Sequence, residues 1–189
     1  MICICAACGK RENSEKIELS ENDERNLKEF ISDYLSNPTT VISDDKPEYI
    51  FYIAAYKMAA GDAEGLTYDE ATNMYCLPKS AIEEYIDGLF DVVNEMTVPN
   101  EFTEKDGYIY FTKYFIPGGG LIEISDITVN DGELVTVMGN FVDEEGNVLE
   151  AGSDLDGGGY RGSFTAVVKC IKTADGYSYR LRSFICGKG

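Results

Sequence analysis

The chain contains no histidine, so the side chain that titrates nearest neutral pH is missing from any chemistry it could perform. Ser-His-Asp and Cys-His centres are excluded within it, as are histidine bases and histidine metal ligands. Carboxylates, thiols, tyrosines and cations remain. Glu101, Glu104 and Glu123 are nominal candidates for the two carboxylates of a polysaccharide hydrolase, one protonating the leaving oxygen and one attacking or activating water. Their spacing selects no pair, and no catalytic residue is assigned. The acidic, glycine-rich stretch 143–161 carries Asp154 and Asp156, hard oxygen donors of the kind calcium takes. It departs from an EF-hand loop, since Gly158 and Thr165 stand at two of the positions counted from Asp154 that such a loop fills with ligands. A solvated connection explains the same composition. Gly118-Gly119-Gly120 suggests a phosphate-binding turn, but neither a Lys-Ser/Thr pair nor a helix follows, and a flexible link between strands is expected.

Candidates for recognition lie further along. From Phe164 to Ile185 two alternating runs flank Asp175-Gly176, a strong hairpin signal. A two-residue turn there pairs Ala174 with Tyr177. It places Phe164, Ala166, Val168 and Cys170 on one face with Tyr179, Leu181, Ser183 and Ile185. That face is apolar enough to be core. The other carries Thr165, Lys169, Ser178, Arg180 and Arg182, and in a chain of net charge −18 the strip Lys169, Arg180, Arg182 is the expected meeting place for a partner. Tyr108, Tyr110, Tyr177 and Tyr179 are the aromatic candidates for the same surface, although tyrosine is also an ordinary strand residue that packs in cores.

The elements that must position these residues follow from periodicity. Ser20 and the acids after it open a helix, with Leu27, Phe30, Ile31, Tyr34 and Leu35 on one stripe and Asn37-Pro38 ending it. Pro47 to Ala60 reads as a helix buried on most sides, because its only charges are Glu48 and Lys57. Thr67-Tyr-Asp-Glu70 and Ser80-Ala-Ile-Glu83 both match the capping box. They predict a short helix ending near Pro78 and a longer one running to about Phe90. After Asp106-Gly107 come strands over Tyr108–Ile116, Leu121–Asn130 and Glu133–Val142, the last two joined at Asp131-Gly132. In the two-residue register Ile122 and Ile124 share a face with Val135, Val137 and Phe141. Leu121, Val129, Leu134 and Met138 share the other with Glu123, Ser125 and Asn140. The expected architecture is α+β. Helices over 20–90 precede a four-strand curved antiparallel meander, within 106–187, packed on the helix Ile82–Phe90.

At the N-terminal end, Ala6-Ala7-Cys8-Gly9 resembles the close of a bacterial lipoprotein signal peptide, in which small residues precede the cysteine that is lipidated. Cys5 stands where Leu is usual, and the basic and apolar regions of such a signal are missing, which an initiation codon assigned too late would explain. Residues 1–19 are then a truncated signal remnant and polar tether, and 20–189 a single domain. The rival is a zinc or iron–sulfur site on Cys3, Cys5 and Cys8, which needs a fourth ligand such as Cys76, and no second paired-cysteine knuckle exists in the sequence. Cys76, Cys170 and Cys186 form an odd set. The hairpin register puts the last two on opposite faces, so buried thiols are expected over a bridge. The excess of acid argues against nucleic acid as a partner and leaves calcium, cationic peptides and basic surfaces compatible.

Leu77-Pro78-Lys79-Ser80, Leu89-Phe90, Gly107-Tyr108-Ile109-Tyr110, Gly118-Gly119-Gly120 and the closing Gly176–Ser183 run carry a resemblance to uncharacterised lipoproteins of Gram-positive gut bacteria of the clostridial type. Such chains are similar to cystatin-like or nuclear-transport-factor-two-like folds, in which a curved sheet wraps a helix. The resemblance covers about Leu77 to Cys186. It implies a noncatalytic extracellular domain, anchored to the outer face of the cytoplasmic membrane through Cys8, that binds a ligand or partner without a cofactor.

Overall fold

In the computed structural model the chain is described over residues 17–35, 48–61, 63–92, 97–112, 121–130, 132–149 and 162–186. The first helix, α1 (Glu21–Leu35), begins as its capping residue predicts. Ser20 Oγ donates to Asp23 Oδ2 at 2.6 Å, and Asp23 N donates back to Ser20 Oγ at 3.2 Å. The same carboxylate accepts from Ser20 N, so hydroxyl and carboxylate satisfy helix-end donors reciprocally. Leu27 and Ile31 on its stripe are fully buried. The second helix, α2 (Glu48–Ala60), buries Phe51, Ile53, Ala54, Ala55, Tyr56, Met58 and Ala59, which places it between other elements as its lack of charge predicts.

The next segment differs from expectation. Thr67-Tyr-Asp-Glu70 caps no helix. It is instead the first arm of a hairpin, β1 (Thr67–Asp69) and β2 (Met74–Pro78). Asp69 accepts from Ala71 N at 3.0 Å and from Thr72 Oγ1 at 2.8 Å, and Asn73 takes the left-handed conformation that completes the turn. These short bonds within the turn compete with helix nucleation, which is unfavourable over so few residues. Helix α3 (Lys79–Leu89) follows directly, but its N-cap is Pro78 with no side-chain hydrogen bond, and Ser80 lies inside the first turn. The carbonyl of Gly107 accepts from Lys79 N at 2.9 Å. A neighbouring strand turn thus does the capping that Ser80 was expected to do.

That turn also relocates Tyr108. Asp106 and Gly107, both at positive φ, join β3 (Thr103–Lys105) to β4 (Tyr108–Phe111) in a two-residue hairpin. Strand β4 pairs with β2 on its other side, giving a small sheet of order β1-β2-β4-β3. The strand at Tyr108 therefore does not belong to the meander. The meander consists of β5 (Leu121–Val129), β6 (Leu134–Val142), β7 (Ser163–Thr173) and β8 (Gly176–Cys186), each paired antiparallel with the next. The class is α+β, with two four-stranded antiparallel sheets.

One core joins these parts. Helix α1 meets both β5 and β8, whereas α3 meets α2, β2 and β8, so the sheet curls over α1 as well as over the helix that the sequence singles out. On the inner face of the meander Phe141, Phe164 and Phe184 form a run, with centroids 5.6 and 5.5 Å apart. Gly139 makes that run possible. A Cβ there would sit 2.6 Å from the Phe164 ring and 2.5 Å from the Glu123 carbonyl oxygen.

Two bulges revise the sequence register. In the first hairpin Asn130 N donates to Leu134 O, so the connection spans three residues, and an irregularity at Ser125 restores Ile122 opposite Phe141. Val129 and Ile127 therefore pair with Val135 and Val137 on the inner face, and Asp126 replaces Ser125 on the outer one. In the second hairpin Thr173 pairs with Gly176, which shifts the register by two and keeps every face. The bulge at Arg182 then turns Phe184 inward. Ser183 and Ile185, expected in the core, face outward, and Ile185 is exposed.

Candidate functional site

The outer face of the meander is where the charged and apolar candidates meet. The end of α3 supplies the first part. Phe90 bridges Leu181 in parallel, and Asp91 N donates to Leu181 O at 2.9 Å, so the chain leaving α3 lies along β8. The Asp91 side chain, only 11% exposed, reaches Arg182 Nη2 at 2.7 Å and Lys169 Nζ at 3.4 Å. Lys169 also lies 3.7 Å from Glu133. Asp91 Oδ2 and Arg182 Nε are buried without an aligned hydrogen-bond partner among the described residues. The 2.7 Å contact is thus a close electrostatic approach of unfavourable angle, in which Coulomb attraction works against the cost of burying both charges.

This arrangement changes the reading of the basic strip. Lys169 and Arg182 neutralise Asp91 from within the protein and are only partly available to a partner. Arg180, opposite Lys169 on β8, is half-buried. Asp91 carries no sequence signal beyond being the acid after the last apolar helical residue, Phe90.

The aromatic candidates divide between two places. Tyr177 and Tyr179 pair with Lys172 and Cys170 on the inner side of the meander. Tyr179 Oη donates to the Asp23 carbonyl at 2.9 Å and its ring lies 5.8 Å from Phe30, so it fastens α1 to the sheet. Burial, with Asp23 beside it, pushes its phenol up to about 12. Tyr108 and Tyr110 belong to the small sheet instead. Tyr108 is exposed, and Tyr110 pairs with Cys76, whose Sγ lies 2.8 Å from Thr67 Oγ1. The expected single surface of tyrosines and cations is therefore not formed.

The carboxylates also separate. Glu104 is held by Lys79 Nζ at 3.0 Å on the small sheet, Glu101 is exposed in the turn before β3, and Glu123 projects from β5 of the meander. Cys76 and Cys170 are buried free thiols. Burial first, then Asp23 and Glu133, push the Cys170 thiol up to about 11, the opposite of what a reactive thiolate needs. Cys186 pairs with Phe164, at the far end of β7 from Cys170. Cys3, Cys5, Cys8, Asp154 and Asp156 lie outside the described residues. Among the described residues no group of three or more acids or thiols is placed to hold a metal, and no helix is long and apolar enough to cross a membrane.

What the outer face offers is apolar surface and a strand edge. Met138 and Ile185 flank Thr165 across three strands, ~10 Å apart by strand spacing. They are 40% and 48% exposed, and Leu121 on the edge strand is 58% exposed. Exposed apolar side chains on one sheet face suit protein contact better than bond-making chemistry. No protein-family model, curated protein or solved structure matches the chain.

Proposed function

We propose that the chain is a noncatalytic partner-binding domain, held at the outer face of the cytoplasmic membrane by a lipid on Cys8. The observation that carries the binding half of this reading is the outer face of the meander. Leu121, Met138 and Ile185 stand exposed there. A partner docking over Met138 and Ile185 covers exposed apolar area, which favours association. The polar run Lys10–Lys16 suits a domain lifted off a surface, and the core begins at Ile17. The hydrolase alternative draws no support from Glu104 and Glu123, which sit on separate sheets.

The test uses cells that process lipoproteins, fed an alkyne fatty acid, with a photo-crosslinking residue placed at Met138 or at exposed Glu84 on α3. Wild-type protein is expected to take up the label and Cys8→Ser to lose it. The crosslink is expected from Met138 and not from Glu84, and to disappear with Ile185→Glu. An unlabelled wild type would remove the anchor. Equal crosslinking from both positions would remove the binding face.

A further inference from the structure

The bulge at Ser125 does more than adjust register. It brings Glu123 and Asp126, an odd number of residues apart, onto the same outer face, opposite Asn140 and Met138 of β6. They occupy adjacent outward positions, ~7 Å apart along the strand. Leu121 is the next outward position before Glu123. Neither carboxylate forms an ion pair among the described residues, and Asp126 accepts only from Thr128 Oγ1, at 2.7 Å. Strand β5 ends the order β5-β6-β7-β8, and no described strand pairs with its outer edge.

An unpaired edge is a template for another strand, and charges along it select which strand can join. A second copy of this chain would bring Glu123 and Asp126 against the same acids, in a protein already at −18. Self-pairing is therefore opposed by like charge. A strand with Lys or Arg at alternate positions meets both carboxylates at once, and an apolar residue at the next outward position covers Leu121. We propose that the β5 edge accepts an extended cationic segment of a partner protein as a fifth strand of the meander, with outward side chains in the order apolar, cation, cation along Leu121, Glu123 and Asp126. This inference rests on the partner-binding reading and specifies where and how the partner pairs.

Fluorescence anisotropy of a labelled peptide on the full chain tests it. The probe is Thr-Lys-Thr-Lys-Thr-Leu-Thr-Lys-Thr-Lys-Thr, which reads the same in both directions and so presents the pattern to either strand polarity. Two counterparts accompany it, one with Glu for every Lys and one N-methylated at every backbone nitrogen with its charges intact. Binding of the Lys peptide is expected, weakened at least about tenfold for either counterpart. Glu123→Lys with Asp126→Lys is expected to reverse the preference between Lys and Glu peptides. The two counterparts decide the matter on wild-type protein even if the doubly substituted chain does not fold. Failure of the Lys peptide to bind, or equal binding of the N-methylated form, overturns the inference. A Met138 crosslink that survives Glu123→Lys with Asp126→Lys overturns the edge while leaving the partner-binding domain in place.

Discussion

The two sheets solve the same problem in different ways. Strands of the small sheet have three to five residues and those of the meander nine to eleven. Short strands bury too little by themselves. The small sheet leans on α2, where Tyr52 and Phe102 stack at 5.1 Å and Phe111 lies 5.3 Å from Phe102 and 5.5 Å from Tyr56. Tyr56 Oη also donates to the Thr112 carbonyl at 3.1 Å. The meander packs its own strands together through Phe141, Phe164 and Phe184. The short strands depend on the helix they pack against, whereas the long strands of the meander contribute an aromatic run of their own to an inner face that α1 also covers.

The sharpest way to break this contrast is Phe111→Ala. Phe111 is fully buried against Tyr56 of α2, Tyr75 of β2 and Phe102, and the substitution is expected to lower the unfolding free energy by about 3–5 kcal/mol, measured by urea denaturation. Hydrogen exchange should rise first in 67–78 and 103–111. Equal loss of protection in β6 and β7 would mean the sheets are not held separately. In the meander Gly139→Ala drives a methyl into the Phe164 ring and the Glu123 carbonyl, an overpacking expected to cost about 1–3 kcal/mol. Adding Phe164→Leu should return part of that loss, and strict additivity would show that the ring is not the obstacle.

Alkaline pH separates the regions by sign. Burial lowers Lys57 on α2 from 10.5 to about 8, against the pull of Asp33. Between those values the unfolded chain binds the extra proton, so this group's contribution to stability rises with pH, by about 3 kcal/mol. Cys170 in the meander is raised from 9.0 to about 11. Its contribution is complete below pH 9 and is lost as pH rises toward 11, because the folded state there holds the proton. Relative to Lys57→Met, wild type should gain stability from pH 8 to 10.5, and relative to Cys170→Ala it should lose stability from pH 9 to 11. Urea curves of the three proteins across that range check both slopes, and parallel profiles would place both groups in water-like surroundings.

Much of the local structure was legible in the residues. The stripe of α1, the buried character of α2 and the two long hairpins follow from periods that only a helix or a strand satisfies. The site was less so. Of the five Asp-Gly pairs in the sequence, three lie between consecutive described strands and look alike, yet Asp106-Gly107 makes a two-residue turn, Gly132 lies in a three-residue connection, and Gly176 already pairs with Thr173. Each turn announces a hairpin, but packing on both flanks sets its register. Thr67–Glu70 shows the same limit, since its capping-box spelling serves a strand and turn equally well once Tyr68 and Tyr75 can pair at 5.1 Å.

By itself the sequence determined the α+β class, the alternation that divides each strand into faces, and the exclusion of histidine chemistry, because these depend on residue identity and short-range period alone. The tertiary structure decided which sheet Tyr108 joins, that Asp91 closes on Lys169 and Arg182, and that the bulge at Ser125 turns Asp126 outward beside Glu123. Those outcomes depend on contacts between residues far apart in the chain. A bulge of a single residue, invisible in composition and period, exchanges the two faces of everything beyond it.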